Sequence, residues 1–133
     1  MAKIATVFSK IIKGEIPSYK IAEDENYYAF LDINPMVKGH TLIVPKQEID
    51  YLFDLDNETL AGMMVFSKKV ADAIFKAVPC KRVGVMVLGL EVPHAHIHLI
   101  PLQNEGDANF ANPKLKLTEK EFIEIAQAIK NEL

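Results

Sequence analysis

Between residues 93 and 101 histidine alternates with apolar residues without a break: His94, Ala95, His96, Ile97, His98, Leu99, bounded by Pro93 and Pro101. A period of two is that of a half-buried strand. Ala95, Ile97 and Leu99 then face a core, and the three imidazoles share the opposite face. Elsewhere the period changes. Residues 7–13 read as a short helix, capped by Thr6 and closed by Gly14, with Phe8, Ile11 and Ile12 apolar and Pro17 beyond. Residues 19–22 and 27–31 read as strands around the acidic turn Glu23–Asn26, taken as solvated. His40–Pro45 is a third strand, with Gly39 permitting a tight bend before it. Residues 51–55 make a connector with room for one helical turn.

A long helix is predicted over 58–78, capped by Asp56 or Asn57 and ended by Pro79. Leu60, Met63, Met64, Val70, Ala71, Ile74, Phe75 and Val78 form its apolar side, and a second apolar side near Phe66 hints at a subunit contact. The run Val83–Leu88 around Gly84 predicts a central strand buried on both faces, joined to the histidine strand by a tight turn. Residues 103–117 are polar and turn-rich, a mobile loop near the site. Thr118 and Glu121 form a capping box that opens a last helix to residue 133, with Phe122, Ile125, Ala126, Ile129 and Leu133 on one face. The expectation is a single α+β domain over 1–133.

Composition narrows the class of protein. Half of the 133 residues are hydrophobic, enough for a core, and the net charge is −3. No basic patch argues for nucleic acid or membrane. A phosphate site would have to be local, built from backbone N–H groups and histidines. The single cysteine, Cys80, precludes an intramolecular disulfide and fits a reducing compartment. Neither a long apolar leader nor a membrane-length run occurs, so a cytoplasmic location is expected.

Three of the four histidines lie in the alternating stretch, and three readings of them stand side by side. They can be a surface strand with no special chemistry. They can bind a metal, with His40 as a further ligand, although ligands at i, i+2 and i+4 on one strand span too far to close on one ion unaided. Or one imidazole is a nucleophile that its neighbours orient. Asp32, at a strand end before Asn34-Pro35, can cap a turn or accept hydrogen bonds from the paired hydroxyls of a sugar.

The string from His94 to Ile100 resembles the signature of the histidine triad (HIT) family of nucleotide hydrolases and transferases. Thr6–Pro17 is similar to that family's opening segment, and Ala29–Pro35 with Gly39–Pro45 to its nucleotide-pocket strands, so the likeness runs through most of residues 4–102. It implies a HIT-like fold, a mostly antiparallel sheet with one long packed helix, usually paired as a homodimer. It implies a purine nucleotide substrate cleaved at its α-phosphate: a nucleoside 5′-phosphoramidate, a nucleotidyl ester or a dinucleotide polyphosphate. By the same resemblance His96 is the nucleophile and the carbonyl of His94 holds its tautomer. His98 donates to a phosphate or leaving-group oxygen, and His40 supports the triad from behind. Phe8, Ile11, Ile16 and Ile33 line the base pocket, and Asp32 binds the ribose. The scheme requires no cofactor and no metal.

The chain departs from the family in one place. Before the triad the family carries a longer polar, glycine-rich turn with an Asn and a Gly-Gln-Ser or Gly-Gln-Thr run. Here Val87-Leu88-Gly89-Leu90-Glu91-Val92-Pro93 is shorter and mostly apolar, with Glu91 at the Ser/Thr position. A carboxylate beside phosphate is repulsive unless it points away. The loop after Pro101 is one place from which the phosphate site can be rebuilt.

Overall fold

The computed structural model describes residues 5–133. Met1–Ile4, where the sequence reading finds no leader, lie outside the described residues. Five antiparallel strands form one sheet in the order β1-β2-β3-β5-β4. They are β1 Lys20–Glu23, β2 Tyr27–Leu31, β3 Thr41–Pro45, β4 Arg82–Met86 and β5 Ile97–Leu102. Three helices accompany them: α1 Val7–Ile12, α2 Asn57–Ala77 and α3 Glu119–Lys130. The architecture is α+β, as the sequence implies.

The two faces of the sheet bury different things. On one, Ala29, Leu31, Ile43, Ile97 and Leu99 pack with Met63, Val70 and Ile74 of α2 and Phe122, Ala126 and Ile129 of α3. On the other, Tyr28, Phe30, Leu42 and Val44 pack with Phe8 of α1. The register places Leu42 opposite both Phe30 and His98, so His98 emerges on the α1 face, beside the second core. Period-two alternation in β5 thus puts aliphatic residues against α2 and leaves an imidazole on the other side.

The helices are stopped and started as their sequences dictate. Asp56 caps α2 by accepting from the Thr59 N–H at 2.7 Å, and Thr118 with Glu121 forms the reciprocal capping box of α3. Tyr19 stacks on Phe122 with ring centroids 4.7 Å apart, which fixes α3 against β1. The acidic turn is not merely solvated. Asp24 accepts from the Asn26 and Tyr27 N–H groups, and Glu23 pairs with Lys46 at 2.8 Å.

Three other expectations are corrected. The apolar run 83–88 is not a central strand: β4 is an edge, paired only with β5, and Val85 is 52% exposed. Its turn to β5 is not tight, since residues 87–96 intervene and regular pairing begins only at Ile97. Pro93, which can donate to no ladder, sits in that connection, and the Ala95 N–H bonds to Ile49 O at 2.7 Å instead. Phe66 itself is not on an outer side of α2; it is buried in the core against Tyr27. The exposed apolar residues of α2 are Met64, Val65 and Phe75, two of which the periodicity places on the core side. The histidine-bearing segment is therefore part strand and part pinned connection.

Candidate active site

A cavity of about 460 Å³ opens on the α1 face of the sheet. His40, His96 and His98 line it, with Phe8, Ile11, Ile16, Asp32 and Ile33. Of the residues singled out from the sequence, only His94 lies beneath its wall, fully buried. Ile33 is 64% exposed at the cavity, an apolar surface left open to a planar ring.

Backbone groups and one hydroxyl fix the protonation of all four imidazoles. The Met36 N–H donates to His40 Nδ1 at 3.1 Å, so Nδ1 carries no proton and Nε2 does. His40 Nε2 then donates to His98 Nδ1 at 2.9 Å, which places the His98 proton on Nε2. On the other branch His94 Nε2 donates to Pro45 O at 2.8 Å, and His94 Nδ1 accepts from the Thr6 hydroxyl at 2.7 Å. His96 Nδ1 donates to His94 O at 2.7 Å, leaving its Nε2 with a lone pair. The result is one basic nitrogen on His96 and one N–H on His98, on rings whose centroids lie 5.0 Å apart.

Thr6 therefore has two roles. It caps α1 by accepting from the Ser9 N–H at 3.0 Å, and it holds the tautomer of His94 across 88 positions of sequence. The capping role is legible in the sequence; the second is not. Phe8 packs edge-on against His94 and His96, with centroids at 5.8 and 5.0 Å, so α1 is fastened to the histidines by a hydroxyl and a ring.

Asp32 performs the first of the two jobs open to it and keeps its other oxygen toward the cavity. Its Oδ1 accepts from the Asn34 N–H at 2.8 Å, which closes the turn. Its Oδ2 lies 3.6 Å from His40 Nε2, in a side chain that lines the cavity. Asp32, His40 and His98 could be taken for a metal site, since one ligand atom from each falls within 4.8 Å of the others. The hydrogen bonds argue otherwise. With the Met36 N–H on Nδ1, His40 holds its proton on Nε2 and has no lone pair to offer there. A metal at that atom would have to break the Met36 bond or strip the ring of both protons.

Burial pushes His40 down from its ordinary 6.5 to about 4, helped by the charge of Lys114. Burial likewise lowers His98 to about 4, with the His40 and His96 rings adding to the effect and Asp32 opposing it. Both rings are thus neutral at pH 7, as the hydrogen bonds require. In the unfolded chain these rings take protons near 6.5; in the folded one, not until about 4. Between those values the unfolded state holds more protons, so stability rises with pH across the window. Denaturant titrations at pH 7 and pH 5 are expected to differ by on the order of 2 kcal/mol, with the folded state weaker at pH 5. Much of that difference is expected to vanish in His40→Gln.

Among the cavity residues that sequence reasoning misses are Phe110 and Lys114. The Phe110 ring lies 4.9 Å from that of His98, so the imidazoles of His96 and His98 stand between Phe8 and Phe110. Both residues belong to the loop 103–117, which the sequence places near the site without singling out either side chain. Glu91 also lines the cavity and is exposed to water.

Comparison with known proteins agrees with this geometry. A sequence profile described as the HIT domain matches residues 13–105. The chain is 42% identical over 106 residues to the adenosine 5′-monophosphoramidase HNT1 of Saccharomyces cerevisiae, covering 76% of this chain and 65% of that protein. It is 35% identical over 131 residues to an uncharacterized HIT-like protein of Borreliella burgdorferi, covering 92% and 94%. Among solved structures, a Hit-like protein from Bartonella henselae superposes with a TM-score of 0.83 at 32% identity, covering 96% of each chain.

Proposed function

The chain belongs to the HIT-domain family, and from that premise we propose that it is a nucleotide hydrolase cleaving at the α-phosphate through a covalent nucleotidyl-His96. The supporting observation is the pair of cavity atoms left over by the hydrogen bonds: a lone pair on His96 Nε2 beside an N–H on His98 Nε2. In the first step His96 Nε2 attacks phosphorus, the N–P bond forms, and the bond to the leaving group breaks. In the second, water attacks phosphorus, the O–P bond forms as the N–P bond breaks, the lone pair returns to His96 Nε2 and the water's proton passes to solvent. Two in-line displacements at one site replace one difficult step.

His98 acts as a hydrogen-bond donor to the oxygen on which charge develops. It is poorly suited to give the proton away, because its Nδ1 already accepts from His40 and a ring without protons would be left in a buried site. An amine leaving group therefore takes its proton from solvent. Ile33, Phe8, Ile11 and Ile16 offer an apolar sleeve for a purine, and Asp32 Oδ2 accepts from the ribose hydroxyls. The adenosine 5′-monophosphoramidase name of the yeast relative favours a phosphoramidate as the first substrate to try. Comparing adenosine 5′-phosphoramidate with its 2′,3′-dideoxy analogue tests the ribose role. The wild type is expected to lose about 10–100-fold in kcat/KM on the analogue, and Asp32→Ala to lose that discrimination. Equal discrimination by the variant would count against Asp32.

A homodimer is part of the same proposal. The unpaired edge of β4, with Val85 half exposed, and the exposed Phe75 on α2 are surfaces a second copy would cover. Sedimentation equilibrium, with Val85→Lys shifting the protein toward monomer, is the check. No helix among the described residues is long and apolar enough to cross a membrane. A cytoplasmic setting is proposed on the single cysteine, and cell fractionation is its check.

A further inference from the structure

Resting on the nucleotide-hydrolase reading, we propose that Lys114 is a specificity-determining residue that binds the phosphates of an anionic leaving group and so sets the preference for such substrates over those with a neutral leaving group. Among the described residues that line the cavity, Lys114 is the only side chain with a permanent positive charge, against the carboxylates of Asp32 and Glu91. The segment before the triad supplies Leu88, Leu90 and Val92, which have no side-chain donor for phosphate. Charge on a substrate beyond its α-phosphate has to be met from elsewhere.

The loop 103–117 is held where it can do this. The Leu115 N–H donates to Pro35 O at 2.8 Å, which ties the loop to the turn that follows Asp32, and Asn112 Nδ2 donates to Gly106 O at 2.7 Å. Lys114 Nζ donates to Phe110 O at 2.6 Å and Asn112 O at 3.2 Å. Both acceptors are neutral carbonyls, and none of the ion pairs among the described residues involves Lys114. Neither acceptor offsets the ammonium's charge, and one N–H is left beyond those two bonds.

Its position follows the order of the reaction. From Phe8 the rings run to His96, His98 and Phe110 at successive centroid distances of 5.0, 5.0 and 4.9 Å, and Lys114 Nζ lies 5.6 Å from the Phe110 ring. In an in-line displacement the leaving group departs on the side of phosphorus away from the attacking nitrogen. Phe110 and Lys114 line the same cavity on the Phe110 side of His98, the ring that faces the leaving group in the proposed scheme. The charge of Lys114 also bears on His40, the ring hydrogen-bonded to His98.

Calorimetric titration with AMP and with ATP, both without divalent cations, separates this role from a general one. The wild type is expected to bind ATP about ten-fold more tightly than AMP, Lys114→Ala and Lys114→Gln to bring the two within about two-fold, and Lys114→Arg to keep the preference. AMP affinity should be unchanged throughout, and kcat/KM should fall about ten-fold for diadenosine tetraphosphate but stay within about two-fold for adenosine 5′-phosphoramidate. Equal losses for AMP and ATP, or no loss for either, would overturn the assignment of Lys114 alone. A wild type that binds neither nucleotide and turns over neither substrate would remove the hydrolase reading, and Lys114's role with it.

Discussion

His96→Ala is expected to lower the turnover of adenosine 5′-phosphoramidate by roughly 10⁴-fold or more, because it removes the atom that forms the covalent bond. No neighbour can substitute. His94 is buried with Nε2 donating to Pro45 O and Nδ1 accepting from Thr6, and His98 carries its proton on the nitrogen that is not engaged by His40. The effect on folding is small by comparison. The substitution gives up one hydrogen bond to His94 O and an edge contact with Phe8, a loss of about 1–2 kcal/mol. A modest fall in melting temperature with turnover abolished is the expected pattern. Retained turnover in a folded His96→Ala protein would mean that another group attacks.

The second large effect is expected at His40, which touches no reacting atom in the proposed scheme. It is fully buried and passes the orientation of the Met36 N–H to His98. His40→Leu leaves His98 Nδ1 without a donor, so the His98 proton is free to sit on the wrong nitrogen and the N–H aimed at the substrate is lost. Turnover is expected to fall by about 10²–10³-fold, the range for removing one preorganised donor. Leaving the Met36 N–H buried and unpaired costs a further 1–3 kcal/mol or so of stability. His40→Gln distinguishes positioning from packing. Its amide can still donate to His98 near the place of Nε2, while the Met36 bond is lost. Both variants should therefore be destabilised to a similar degree, with the glutamine variant retaining at least about ten times the kcat of the leucine variant. Equal kcat in the two would show that His40 only fills space.

Much of this site is legible in the sequence because its signals are local. Strict alternation from His94 to Leu99 identifies a segment with imidazoles on one face and aliphatics on the other, and Ile97 and Leu99 do pack under α2 while His98 faces the cavity. Asp56, Thr118 and Glu121 announce their helices through caps that act within one turn. What the sequence hides depends on partners far along the chain. An apolar run such as Val83–Leu88 looks the same whether its strand is flanked on both sides or stands at an edge, because periodicity reports burial of faces and says nothing about neighbours. Met64 and Phe75 fall near helical spacing yet lie beside the buried stripe, whose edge the spacing alone does not locate. The bond from Thr6 to His94 and the approach of Phe110 to His98 join segments with no shared pattern. Lys114 is one lysine among many until the loop that carries it is pinned to Pro35.

The most direct test of the covalent route is intact-mass measurement of the protein mixed with adenosine 5′-phosphoramidate and quenched within seconds, alongside His96→Ala. The route predicts a species heavier by one adenylyl group in the wild type, decaying as AMP accumulates, and neither adduct nor AMP from the variant. AMP formed by the variant at the wild-type rate, or an adduct that maps to another residue, would contradict it.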